Sequence, residues 1–181
     1  LIWDGRYVNE YLHVPSFKYE TLSGLGDVLQ PDDYMFTIDL KSGYHHVDVR
    51  ESDWQYLGFE WQGQFYEFTQ LPFGLAPAPW VFTKVTRELQ GYWRRQGMRL
   101  TGYIDDMLFA HAREAELEHS REEVLSDLKS AGFLVSDSKC SLAPEQQQEY
   151  LGAVVDTAAG CLVVPEPKRL RLLGEVEALL K

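Results

Sequence analysis

The sequence predicts one α+β unit, a largely antiparallel sheet with helices packed on one face. Three observations carry this. Strand-like runs meet at short turns twice, over 56–69 and 100–111, the pattern of β-hairpins. Two longer segments, 76–96 and 113–131, read as helices. No internal repeat and no linker interrupts the chain.

The elements follow in order. Residues 1–33 read as irregular, broken by Pro15, Gly24, Gly26 and Pro31, with a short helix near 19–29. Tyr34-Met35-Phe36-Thr37-Ile38-Asp39-Leu40 is rich in β-branched and aromatic residues and reads as a buried strand. A second strand is expected over 43–49, then a helical turn at 51–56 and a hairpin bent at Gly63. Residues 70–75 form a loop. Pro77 and Pro79 fit only the first turn of the 76–96 helix, which Gly97 closes. The 113–131 helix places Leu117, Val124, Leu125 and Leu128 on one face, with acids in its first half and Gly132 at its end. Strands at 133–135, 150–156 and 161–164 follow, and Pro165 and Pro167 introduce a terminal helix over 168–180.

At 181 residues, 45% apolar and 13% aromatic, the chain fits one ordinary domain or a compact piece of a larger one. It has no long apolar run, no signal peptide and no low-complexity tract, so it reads as soluble and intracellular (cytoplasm or nucleus), with no membrane partner. Cys140 and Cys161 have no metal-like spacing, and a reduced compartment is the simpler assumption. Leu1 in place of Met points to a segment of a longer polypeptide. The net charge of −11, from 17 basic and 28 acidic side chains, argues against nonspecific polyanion binding by the chain as a whole. An acidic metal centre, with basic contact elements outside this segment, would reconcile that charge with a nucleic-acid enzyme.

The chemistry concentrates at Tyr103-Ile104-Asp105-Asp106, two adjacent carboxylates between apolar runs. Asp-Asp lacks the Gly or Asn that a two-residue hairpin turn favours, and two like charges side by side repel unless something positive neutralises them. The plainer reading is a solvated acidic turn. Asp39, in an apolar strand, is costly unless it is paired, protonated or bound to metal, or unless the strand ends there in water. Hard cations such as Mg²⁺ take oxygen ligands. Three carboxylates on neighbouring strands would suit two of them, roughly 3.5–4 Å apart, clamping a phosphoryl transfer. His45, His46 and Asp48 raise a transition-metal alternative, but adjacent histidines on a strand point to opposite faces.

In order along nearly the whole chain, five motifs resemble those of reverse transcriptases. Phe36-Thr37-Ile38-Asp39-Leu40-Lys41-Ser42-Gly43-Tyr44 is similar to the first catalytic motif, and Leu71-Pro72-Phe73-Gly74-Leu75-Ala76-Pro77-Ala78-Pro79 to the second. Tyr103-Ile104-Asp105-Asp106 resembles the hallmark third motif. Ala131-Gly132-Phe133 with Lys139-Cys140 resembles the fourth, and Glu149-Tyr150-Leu151-Gly152 the primer grip. The wording of 78–84 and 156–165 is most similar to retroelements of the DIRS type, which carry a tyrosine recombinase.

The resemblance implies a polymerase palm, its mainly antiparallel sheet backed by helices, plus partial fingers. Fingers would cover about 1–33 and 50–75, palm about 34–49 and 76–165, and the start of a connection to the thumb 166–181. It implies two Mg²⁺ ions (Mn²⁺ as a substitute) on Asp39 and Asp105, with Asp106 assisting and the Leu40 carbonyl as an extra ligand. The reaction would be attack of a primer 3′-hydroxyl on a deoxynucleoside triphosphate, over an RNA or DNA template. Tyr44 matches a steric gate against the ribose 2′-hydroxyl, the alternative being an ordinary packed aromatic. Phe73 and Gly74 would line the nucleotide pocket, Phe73 standing where retroviral enzymes carry a glutamine. Lys139 is implied as general acid for pyrophosphate, with a solvated lysine as its alternative. Arg6, Tyr103, Leu151 and Gly152 would contact template and primer, Arg6 alternatively being structural. Triphosphate-clamping basic residues and a thumb would lie outside this segment, with RNase H beyond, so the segment alone is expected to have weak or no activity. The competing readings are a domesticated, non-catalytic interaction module and an RNA-templated RNA polymerase. The intact carboxylates argue against the first and the aromatic Tyr44 against the second.

Overall fold

The computed structural model describes residues 3–179. Along the chain come the one-turn helix α1 (Arg6–Asn9), β1 (Tyr34–Asp39), the hairpin β2 (Gly58–Trp61) and β3 (Gln64–Glu67), and α2 (Ala78–Arg95). The hairpin β4 (Arg99–Tyr103) and β5 (Asp106–His111) follows, then α3 (Glu114–Ser130). Strands β6 (Ser141–Glu145), β7 (Gln147–Tyr150), β8 (Ala153–Asp156) and β9 (Cys161–Val163) precede α4 (Glu166–Leu179). The central sheet has the order β4-β5-β1-β6, with every neighbouring pair antiparallel.

Strand alternation sorts the core into two layers. Phe36 and Ile38 of β1, Leu100 of β4, and Met107 and Phe109 of β5 pack with Phe82 and Trp93 of α2 and Leu117, Val124 and Leu128 of α3. Phe36 and Phe109 are opposite in register, and their rings stack at 4.7 Å and 8°. The intervening Met35, Leu108 and Ala110 pack instead with Leu25, Tyr150 and Val155. The sheet is therefore covered twice, by helices on one face and by the β7-β8-β9 sheet and the 3₁₀ turn Leu22–Asp27 on the other. Burial on both faces explains why β1 and β5 read as nearly continuous apolar runs. The same alternation puts Asp39 on the Met35 face and Asp106 on the Leu108 face. A third cluster of Trp3, Leu57, Leu71, Leu75 and Ala78 supports the β2–β3 hairpin, with Trp3 Nε1 donating to the Gly58 carbonyl at 3.0 Å.

The two hairpins, the two long helices and the antiparallel sheet stand where the sequence predicts them. Several local expectations are corrected. Residues 43–49 are not a strand: Ser42 (φ 65°) and Gly43 (φ 31°) turn the chain into a 3₁₀ segment, Gly43–His46. The helix expected near 19–29 is the shorter 3₁₀ turn. Residues 133–135 contribute one isolated bridge, Leu40 to Val135. The strand expected over 150–156 is split by Leu151 and Gly152, whose φ values of 49° and 72° reverse the chain between β7 and β8. Strand β6 was not expected; it lies at the sheet edge, where Pro144 is tolerated. Leu180, the predicted end of the last helix, lies outside the described residues. Among the described residues no helix is long and apolar enough to cross a membrane.

Candidate active site

β1 ends in the first carboxylate. In its register with β5, Asp39 lies directly opposite Asp106. The β4–β5 ladder closes with Tyr103 opposite Asp106, so the turn is the two residues Ile104 and Asp105. Of these only Ile104 has a positive φ, 57°, the sign pattern of a type II′ turn, in which glycine is the usual first residue. A β-branched residue in that region costs on the order of 1–3 kcal/mol. The Leu40 amide donates to the Asp105 carbonyl at 3.0 Å and fastens the turn to the end of β1. Strand pairing and this backbone bond thus place all three acids.

Asp39 is only 8% exposed. Its Oδ2 accepts from Lys139 Nζ at 3.2 Å, while Oδ1 is buried with no hydrogen-bond partner among the described residues, an arrangement that buried carboxylates rarely adopt. Burial pushes the Asp105 carboxyl above its ordinary range, and the charge of Asp39 adds to the shift. Asp106 is pushed up to about 6, by burial first and then by the charges of Asp105 and Asp39. Hydrogen bonding to Asp39 raises Lys139 and keeps its ammonium protonated. The donors are all oxygens, the chemistry of a hard divalent cation rather than of a thiolate or imidazole metal site. Among the described residues no three His, Cys, Asp or Glu side chains are drawn together into a metal-holding cluster.

Gly43 lets the turn after β1 come close to these acids. A Cβ there would lie 3.5 Å from Asp105 Oδ2, and its φ is already positive. The turn presents the half-buried Tyr44, whose ring lies 4.9 Å from that of Phe73 and meets Phe82 edge-on at 5.7 Å. Burial, then the nearby Tyr19, Asp105 and Tyr103, pushes the Tyr44 phenol up to about 12, so it stays protonated at neutral pH. Gly74 has φ 108°, and a Cβ would come within 2.0 Å of the Trp3 carbonyl oxygen, so glycine is required for packing alone. The Trp3 amide donates to the Phe73 carbonyl at 2.8 Å, holding this loop to the N-terminal segment. The Tyr103 ring lies 4.9 Å from Tyr19.

Comparison with known proteins decides the family. Residues 4–155 match the model of the family described as reverse transcriptase (RNA-dependent DNA polymerase). The chain belongs to the reverse transcriptase family. Among curated relatives, it is 32% identical over 157 residues to the retrovirus-related Pol polyprotein from transposon opus of Drosophila melanogaster, covering 86% of this chain and 15% of the relative. It is 32% identical over 156 residues to the gypsy counterpart of the same organism, again covering 86% and 15%. With the Pro-Pol polyprotein of Simian foamy virus type 1 it shares 26% identity over 189 residues, covering 99% and 16%. The chain therefore spans about one sixth of the length of these relatives. A solved foamy viral protease-reverse transcriptase in complex with RNA/DNA hybrid superposes with TM-score 0.82 at 22% identity, covering 98% of this chain and 24% of that one. A solved foamy viral protease-reverse transcriptase dRH in complex with double-stranded DNA also gives 0.82, at 23% identity, covering 92% and 28%. The fold is thus the palm and fingers architecture of those enzymes.

The reverse transcriptase domain holds its other predicted residues in separate places. Arg6 is exposed on α1, and its guanidinium meets Asp4 at 2.6 Å rather than any of the three carboxylates. Leu151 and Gly152 make the turn between β7 and β8, both with positive φ as in a type I′ turn. Tyr150, just before it, donates to the Asp106 carbonyl at 3.5 Å and links this hairpin to the acidic one. Leu151 and Tyr103 line a shared recess of about 420 Å³ with Thr21, Leu22 and Ser23.

Sequence reasoning gave no role to two residues here, Glu20 and the Cys140 of the fourth motif. Glu20 receives Arg94 at 2.7 Å, Thr101 Oγ1 at 3.0 Å and the Gly102 amide at 3.0 Å, anchoring the N-terminal segment beside Tyr103. Cys140 Sγ accepts from the Asp39 amide at 3.2 Å. Adjacency to Lys139 was the one signal for Cys140; nothing in the sequence separates Glu20 from other acids.

Proposed function

We propose that this domain is the catalytic core of an RNA-directed DNA polymerase that transfers a nucleotide from a deoxynucleoside triphosphate to a primer 3′-hydroxyl, over an RNA or DNA template. One observation carries the reading. Asp39 and Asp106 face each other across β1 and β5, Asp105 adjoins them in the turn, and the buried Asp39 Oδ1 has no hydrogen-bond partner among the described residues. That orphaned oxygen and the raised Asp105 and Asp106 carboxyls fit a cation site.

Two Mg²⁺ ions, or Mn²⁺, would be held by Asp39 and Asp105, with Asp106 and the Leu40 carbonyl. The Leu40–Val135 bridge is made by flanking bonds, from the Lys41 amide to the Leu134 carbonyl at 2.8 Å and from the Ser136 amide to the Asp39 carbonyl at 2.9 Å. The Leu40 carbonyl is not used in it. When bound, such ions neutralise phosphate charge and acidify the attacking hydroxyl. The chain's own residues do the rest. Lys139 supplies a proton to departing pyrophosphate, and the ring of Tyr44 closes the space a ribose 2′-hydroxyl would need. Phe73 and Gly74 line the nucleotide pocket. Arg6, Tyr103, Leu151 and Gly152 meet template and primer.

In this reading, fingers cover about 1–33 and 50–75, palm about 34–49 and 76–165, and 166–181 begins the connection to a thumb. The domain works inside the cell, with a thumb and RNase H completing the nucleic-acid grip, and as part of a polyprotein, which is what its relatives are named. The wording of 78–84 and 156–165 supports a DIRS-type element within the retroelement family.

The test is Mn²⁺ binding followed by electron paramagnetic resonance, with a deoxynucleoside triphosphate present. Wild type should bind the ion, and Asp39→Asn and Asp105→Asn should each weaken binding at least tenfold. Equal binding by all three proteins rejects the metal assignment and favours a non-catalytic module.

A further inference from the structure

His46 has no part in the roles assigned above, yet its two ring nitrogens make bonds that fix a single tautomer. The Leu134 backbone N–H lies 2.9 Å from Nε2 and can only donate, so Nε2 presents a lone pair. Nδ1 lies 2.9 Å from the Gly43 carbonyl oxygen, which can only accept, so Nδ1 carries the proton. The ring also packs on Phe133, with centroids 5.0 Å apart.

These contacts join two stretches that flank the carboxylates. The Gly43 bond closes the 3₁₀ turn Gly43–His46, which presents Tyr44. The Leu134 bond reaches residues 132–136, which are tied to the end of β1 through the Lys41 and Ser136 amides. From there the Lys139 amide donates to the Ser136 carbonyl at 3.0 Å, setting the point from which Lys139 reaches Asp39. Among the described residues, no other hydrogen bond links 42–47 to 132–140.

We infer that His46 is a positioning residue for nucleotide selection, holding the Tyr44 turn against the segment that carries Lys139. As the neutral Nδ1–H tautomer it sets where the Tyr44 ring stands relative to Lys139 and Asp39. A group that fills the same space without an acceptor leaves the Leu134 N–H unpaired and frees the turn to shift. The coupling to selection rests on the polymerase reading; the tie between turn and segment does not.

Two variants separate acceptor from bulk. His46→Phe keeps an aromatic ring beside Phe133 but cannot accept, whereas His46→Gln offers an acceptor oxygen at similar reach. In the first arm, ring ¹⁵N shifts and amide hydrogen exchange are measured by NMR on this chain. His46 should be protonated at Nδ1. His46→Phe should speed exchange of the Leu134 amide roughly tenfold, and His46→Gln should restore most of the protection. A proton on Nε2, or Leu134 exchange unchanged in His46→Phe, overturns the tie. In the second arm, deoxy- and ribonucleotide incorporation are compared in the full-length protein. His46→Phe should lower discrimination about tenfold, mainly through a reduced ribonucleotide KM, and His46→Gln should remain near wild type. Faster Leu134 exchange with unchanged discrimination overturns the coupling. No incorporation by wild type removes the polymerase reading, while the exchange arm still decides the tie.

Discussion

Asp39 and Asp106 occupy the last rung of the β1–β5 ladder, directly opposite each other on the sheet face away from the helices. Like charges in opposed positions destabilise a sheet, and here Asp105 adds a third. The arrangement is a local cost to the fold that a bound divalent cation would offset.

That cost is measurable as pH-dependent stability. The Asp106 carboxyl sits at about 6 in the folded protein against an ordinary 3.8, so the folded state holds its proton more tightly than the unfolded chain. Its favourable contribution is fully present below about pH 4 and is lost as pH rises through about 6. Asp106→Asn should therefore raise the melting temperature by roughly 2–4 °C at pH 8, and the gain should vanish near pH 4. Calorimetric scans across pH check this; a gain independent of pH would contradict it.

Tyr44 stands between Phe73 and Phe82, with Asp105 close enough to influence its phenol. Tyr44→Ala should raise ribonucleotide incorporation relative to deoxyribonucleotide by about 10–100-fold, the effect of removing a steric clash of some 1.4–2.8 kcal/mol. Competitive single-turnover incorporation reads the ratio directly.

A buried ion pair holds the chain just before β1. Asp33 is fully buried, and its Oδ1 receives Arg99 Nη2 at 2.6 Å while its Oδ2 accepts from the Gln30 amide at 2.7 Å. Asp33→Ala leaves the partly buried guanidinium without its partner and should cost about 3–5 kcal/mol in urea unfolding.

The tip of the β2–β3 hairpin offers a gain instead. Gln62 and Gly63 have φ values of 51° and 76°, both positive as in a type I′ turn. Gln62 is exposed. Gln62→Asn produces the Asn-Gly pair that such turns favour and should stabilise by about 0.5–1 kcal/mol, read as a higher denaturation midpoint.

These cases also show what the sequence could reveal. The 103–106 hairpin was legible because apolar runs on both sides can be buried only as paired strands. The two helices were legible from their length and end signals. The turn at 43–46 was not, because Val47 and Val49 imitate a strand, while a left-handed Ser42 has no local signature. The turn at 151–152 was hidden in the same way, since Leu151 adopts a conformation that leucine rarely does. β6 depends on pairing with β1 from a hundred residues away, which overrides its Pro144 and polar ends. The acids could be picked out as charges in apolar surroundings. The hydrogen bonds of His46, Glu20 and Cys140 exist only once distant segments meet.

The most direct measurement is single-nucleotide extension of a DNA primer on an RNA template with Mg²⁺, comparing the full-length protein with its Asp105→Asn variant. Wild type should extend the primer, and the variant should be slower by about 10³-fold or more while keeping the same melting profile within a few degrees. Extension by Asp105→Asn at the wild-type rate would contradict the carboxylate centre.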